Sequence, residues 1–142
     1  MKNLILVLCL ILPFLSCSQN PVSQLKKIIK NDDIEALDKF LVAGNGINEC
    51  HSIKESSYSI LVLSIKYGSE KVFAKCLELE ADLNQICEDK TPLIYAIKYD
   101  KMEMFEVLLE KGADKTMKTK RGKTALQYAK KYERSAFIPK LQ

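Results

Sequence analysis

Between Asp89 and Leu126 the apolar residues fall into two short runs at helical spacing. Leu93, Ala96 and Ile97 make one stripe, and Met104, Phe105, Leu108 and Leu109 make the next. Thr91 is placed as an N-cap. Pro92 takes the first helical position, where its missing N–H would have had no partner in any case. Tyr99 and Asp100 close a helix of about two turns, and Gly112 follows the second helix, where a left-handed residue ends it at little cost. Neither helix is long enough to be stable alone. The pair therefore has to bury its stripes against neighbouring pairs, as in a stack.

The same pattern recurs along the chain. Thr91-Pro92-Leu93, Gly112-Ala113-Asp114 and Gly122-x-Thr124-Ala125-Leu126 follow in order, with 33 residues separating Thr91 from Thr124. On these motifs and that period the chain resembles the ankyrin-repeat family. The resemblance implies an all-α ankyrin-repeat solenoid of about four stacked helix pairs with finger loops, the outer repeats degenerate. The repeats fall near 24–55, 56–88, 89–121 and 122–142, making one domain over 24–142. The second repeat aligns with the third at a spacing of 32: Ser59-Ile60-Leu61 stands for Thr91-Pro92-Leu93, and Ser64-Ile65-Lys66-Tyr67 for Ala96-Ile97-Lys98-Tyr99. Glu80 replaces the glycine, a less ideal helix end. In the first repeat, Leu25, Ile28 and Ile29 mark one helix and Ile34, Leu37, Phe40 and Leu41 the other, with Asn31-Asp32 at the turn. The first-to-second offset is 36, so Glu49 to Ser57 form an enlarged finger loop. The fourth repeat carries Pro139 inside its second helix, which should be short or bent.

Ahead of the repeats, Lys2 precedes an apolar run from Leu4 to Leu15 that ends in Phe14-Leu15-Ser16-Cys17. The run is shorter than the roughly 20 residues a spanning helix needs and suits an export signal. It resembles a bacterial lipoprotein signal, with residues 1–16 removed, Cys17 lipidated and residues 17–23 as a short tether. Phe14 stands where leucine is usual, and ordinary cleavage or an uncleaved anchor are the rivals. Ser18 after the cysteine points to the outer membrane by analogy with enterobacterial sorting. The expected location is the bacterial cell envelope, at the outer membrane or the periplasmic face.

The sequence offers little from which to build an enzyme, and no catalytic residue or cofactor is expected. His51, the single histidine, has no nucleophile at a diagnostic spacing, HSIKE is not HExxH, and no glycine-rich phosphate loop occurs. No metal site is expected, because Glu49, Cys50, His51 and Cys87 lack a C-x-x-C or H-x-x-x-H pair. Cys76 aligns with Leu108 and should be a small buried hydrophobe. Cys50 and Cys87 sit in successive fingers. Export permits a disulfide between them. Against it, equivalent points in adjacent repeats of such a family lie about 10 Å apart, whereas a bridge needs Cα atoms within about 7 Å. The enlarged loop leaves the question open.

Charge is polarised along the stack. Residues 17–110 hold 11 basic and 16 acidic side chains, and residues 111–142 hold 10 basic and 2 acidic. The sharpest cluster is Lys115, Lys118, Lys120, Arg121 and Lys123. In ankyrin proteins the fingers and inner helix face form the binding surface, so this cluster is a candidate contact for an acidic protein or for anionic headgroups. Its alternative is a solvated end cap. Tyr95 and Tyr128 occupy one repeat position and are candidates for the same face, or for the core. Ile94 and Val62, one position earlier, are either partly buried or sticky. The resemblance thus implies an exported, membrane-tethered, monomeric protein-binding module that does not bind nucleic acid. One form of it is an inhibitor or immunity protein for a secreted enzyme. The alternative is a structural or stress-protective envelope lipoprotein without one tight partner.

Overall fold

The computed structural model describes residues 20–142. The expected signal segment and Cys17 lie outside them. Helices alternate in two rows. The inner row comprises α1 (Pro21–Lys30), α3 (Ile60–Tyr67), α5 (Pro92–Lys98) and α7 (Ala125–Lys131). The outer row comprises α2 (Ile34–Val42), α4 (Glu70–Glu78) and α6 (Met102–Glu110). A 3-10 turn (Ser135–Phe137) and the one-turn α8 (Ile138–Leu141) close it. The final element is short because Pro139 falls in its first turn. Helix α1 opens at Pro21, capped by Asn20, whose side chain accepts from Val22 N at 3.0 Å. Residues 21–23 are therefore helix, where the sequence suggested tether. No helix among the described residues is long and apolar enough to cross a membrane.

Local chemistry sets each element. Ser59 and Thr91 accept from Val62 N and Ile94 N at 3.3 Å, and Thr124 forms a capping box with Gln127. The turn after each inner helix places one residue at positive φ: Asp32, Gly68, Asp100 and Glu133. Those four recur at spacings of 36, 32 and 33, the offsets of the repeat itself. After the outer helices Gly44, Glu80 and Gly112 do the same, and Glu80 adopts φ 54° despite its Cβ.

Packing explains why the units need one another. Leu25, Ile29, Leu61, Leu63, Ile65, Leu93, Ile97, Phe105 and Leu108 are fully or almost fully buried in one continuous core. Cys76 shares the Leu108 environment, fully buried, and burial pushes its thiol up to about 12. Polar links also cross the repeats. The Asp32 carboxylate caps α4 by accepting from Lys71 N at 3.0 Å and Val72 N at 2.8 Å. Ser69 Oγ donates to Ile29 O at 2.5 Å. In the fingers, Asp82 N donates to Asn48 Oδ1 and Asp114 N to Asn84 Oδ1, both at 2.8 Å. The inner helices pack as one close row, α1 on α3 on α5 on α7. The outer row is looser, and a cleft of about 240 Å³ opens between α4 and α6 beside Phe73, Met104 and Val107. Tighter inner packing makes the inner side concave.

The described residues are mostly helical, consistent with the expected all-α repeat fold, and the enlarged finger loop adds one short sheet. The enlarged loop is an antiparallel hairpin, β1 (His51–Ile53) on β2 (Ser56–Tyr58), with His51 opposite Tyr58. Its strands hold serine, isoleucine and tyrosine, residues that suit a half-covered pleat, and Ser52 and Ser57 hydroxyls meet across it at 3.1 Å. At its base Cys50 is bonded to Cys87, with Cα atoms 5.5 Å apart. The surplus residues bring the first finger close enough to the second for the bridge. Gln85, on the second finger, donates its amide N–H to Asn48 O and to Cys50 Sγ, closing the same junction.

Candidate partner-binding face

The inner helices α1, α3, α5 and α7 carry seven lysines and no carboxylate. The outer helices α2, α4 and α6 carry seven carboxylates and three lysines. Charge is therefore segregated across the stack as well as along it. Two ion pairs lie on the outer side, Lys75 with Asp38 at 3.4 Å and Lys140 with Glu106 at 2.8 Å, while Lys90 meets Asp89 at 3.2 Å beside Tyr128.

Four of the inner lysines form a row. Lys30, Lys66, Lys98 and Lys131 recur at spacings of 36, 32 and 33, each two residues before the positive-φ turn residue. None of the four is ion-paired among the described residues. They stand over tyrosine rings instead. Lys30 Nζ lies 5.4 Å from the Tyr67 ring, reaching from α1 to α3, and Lys66 Nζ lies 4.3 Å from the Tyr58 ring. Lys98 Nζ sits 5.9 Å from Tyr95 and 5.3 Å from Tyr99. Lys131 repeats that arrangement one unit on, 5.9 Å from both Tyr128 and Tyr132. Such cation–ring contacts hold an ammonium in place while leaving its outer side to water.

The rings also meet one another. Tyr58, at the end of β2, packs edge-on to Tyr95 at 5.8 Å, and Tyr95 stacks with Tyr99 at 6.1 Å. Tyr128 and Tyr132 are 5.6 Å apart. Lys66 donates to the Tyr58 hydroxyl at 3.2 Å. Burial opposes the Lys66 ammonium, but the Tyr58 hydroxyl and the neighbouring Tyr99 and Tyr67 outweigh it and hold the lysine above its ordinary value. Lysine and hairpin together bound a groove of about 480 Å³ lined by Lys26, Lys54, Lys66, Tyr58 and Tyr67, with one carboxylate, Glu55, at the hairpin turn.

The third finger supplies a second basic element. Thr119 N donates to Lys123 O at 2.9 Å and Gly122 N to Thr119 O at 2.8 Å, a tight turn that brings Lys118, Lys120, Arg121 and Lys123 together, all exposed. Lys115 departs from the cluster: its Nζ donates to Gln142 O at 2.7 Å, tying the finger to the chain end. Asp89, at the end of the second finger just before the Thr91 cap, is buried and accepts from Lys90 Nζ at 3.2 Å and from the Tyr128 hydroxyl at 3.3 Å. Burial raises the Asp89 carboxyl, yet Lys90, Tyr128 and the nearby Arg121 together hold it below its ordinary value.

Of the residues singled out from sequence, the finger cations are brought together, with Lys115 diverted. Tyr95 and Tyr128 are buried beneath the concave face at 5% and 3% exposure, so they floor it, and their hydroxyls do not face a partner freely. Ile94 and Val62 are buried, at 0% and 2%. The lysine row went unremarked in the sequence, although aligned Ile65-Lys66-Tyr67 and Ile97-Lys98-Tyr99 carry its signal. Cys50 and Cys87 bond each other, so neither thiol is available to a metal.

Residues 77–129, from the end of α4 into α7, match the family model for ankyrin repeats (many copies). No curated protein matches the chain. The matched stretch holds the Thr91 and Thr124 caps, one of the row lysines (Lys98) and the whole third finger. Repeats of the matched kind serve protein–protein interaction.

Proposed function

We propose that this ankyrin-repeat chain is an exported, membrane-tethered binding module of four repeats, which engages an acidic protein in the bacterial envelope through its concave face and third finger. The observation that carries the reading is the segregation of charge. Inner helices with seven lysines and no carboxylate of their own give the concave surface a positive bias, which steers and orients an acidic partner. The apolar run ending at Cys17 supports export and lipid attachment, and the Cys50–Cys87 bridge suits an oxidising compartment. A rigid cationic face of this kind fits an inhibitor or immunity protein that covers a secreted enzyme.

Cross-linked capture from the envelope fraction tests the reading, using the tagged protein beside a variant with Lys118, Lys120, Arg121 and Lys123 changed to glutamate. One specific protein held by the wild type and lost in the variant is the expected result. Lipid alone, with no specific protein, would move the assignment to a structural envelope role. In the same cells Cys17→Ala should shift the protein from the membrane to the soluble fraction.

A further inference from the structure

The concave face has a repeat length as well as a charge. Close-packed helices lie about 8–10 Å apart, so each step from α1 to α3 to α5 to α7 advances the lysine row by that distance. A polyproline II segment rises about 3.1 Å per residue with three residues per turn, so every third side chain returns to one face after about 9.3 Å. The two periods agree. Aromatic-lined grooves also suit this conformation, because rings pack against its ridges and their hydroxyls meet its unpaired carbonyls. Here half-buried Tyr67, Tyr99 and Tyr132 each follow a row lysine by one residue, so cation and ring alternate along the groove.

We propose that the lysine row Lys30–Lys66–Lys98–Lys131 and its tyrosine floor bind an extended acidic segment of the partner, in polyproline II form, with a carboxylate at every third residue. Four lysines span three steps, which such a segment of about ten residues crosses. The segment enters beside the hairpin, where Lys26, Lys54 and Lys66 outnumber the single carboxylate, Glu55, in the groove. Each carboxylate takes an ammonium that no described acidic group already holds. A protein segment is favoured over single-stranded nucleic acid because Tyr58, Tyr95 and Tyr128 are buried, which leaves only the half-buried Tyr67, Tyr99 and Tyr132 instead of a continuous stacking platform. This inference rests on the concave face being the binding surface, and the experiment separates the two.

Two labelled peptides of one composition are titrated against the protein at low salt: glutamate at every third residue in a proline background, and the same residues with the glutamates clustered. An alanine-rich helical peptide with glutamate every seventh residue and a single-stranded oligonucleotide complete the set. The protein variants are Lys30, Lys66, Lys98 and Lys131 changed to glutamine, and separately the four exposed finger cations changed to glutamine, each checked by its thermal melt. We expect the every-third peptide to bind about tenfold more tightly than the clustered one, and to lose about tenfold in the row variant but under about twofold in the finger variant. Equal binding of the first two peptides, tighter binding of the helical peptide or the oligonucleotide, or undiminished binding in a folded row variant would each overturn the inference. Capture of the envelope partner by the row variant locates the failure. If the partner is retained, the concave face is not the binding surface. If it is lost while the peptides show no spacing preference, the surface stands and only the extended-segment inference falls.

Discussion

His51 and Leu108 show how single residues here respond to quite different stresses. His51 is the chain's only histidine and packs tilted against Phe40 at 5.9 Å, with Nε2 unpartnered among the described residues. Burial lowers its pKa below the ordinary 6.5, partly offset by Glu49. Because the folded ring takes a proton less readily than the unfolded one, the unfolded state binds more protons as pH falls below about 6.5. Its contribution is complete above that pH and is lost as pH falls through the folded value. Urea midpoints measured over this window should decline with pH in the wild type, and His51→Phe should flatten the decline. The depressed Asp89 carboxyl acts lower, in the carboxylate range, and leaves that comparison clean. Leu108, fully buried between helix pairs, answers to volume alone. Leu108→Ala should cost about 2–5 kcal/mol in denaturant titration, and in a stack this small that is a large share of its stability.

At the scale of elements, the helices were legible in the sequence because period and caps agreed at each one. Thr91, Ser59 and Thr124 cap as their positions implied, and the stripe Met104, Phe105 and Leu108 is buried. The hairpin was not legible. Glu49 to Ser57 carries no Asn-Gly or Asp-Gly turn, and the strands owe their pairing to a Lys54 held at φ 57° and to the bond that anchors Cys50. That bond closes a 37-residue separation. Reduction, or Cys50→Ser with Cys87→Ser, should lower unfolding free energy by about 2–4 kcal/mol, seen as a shift in denaturant midpoint with and without reductant. The cap that Asp32 gives to α4 is likewise invisible locally, since donor and acceptor lie 39 or 40 residues apart. Asp32→Ala should cost about 1–2 kcal/mol by removing that cap, beyond the strain of alanine at φ 52°. Asp32→Asn, which tolerates the left-handed turn and keeps an acceptor, should cost less in the same thermal melts.

For the whole molecule, summing charge along the chain showed one asymmetry and concealed another. The arithmetic of residues 111–142 found the basic third finger, because those cations are neighbours in sequence. The lysine row is assembled from residues more than 30 positions apart, and only the folded stack lays them side by side. Tyr95 and Tyr128 were legible as a repeated pair; their burial under Lys98 and Lys131 follows from the hairpin and neighbouring rings, which local spacing does not report. That arrangement has an optical consequence. The chain has six tyrosines and no tryptophan, and all six, Tyr58, Tyr67, Tyr95, Tyr99, Tyr128 and Tyr132, lie under or beside lysines of the concave face. The protein's tyrosine emission therefore originates at this one surface, and an unlabelled sample carries its own indicator of whether the surface is occupied.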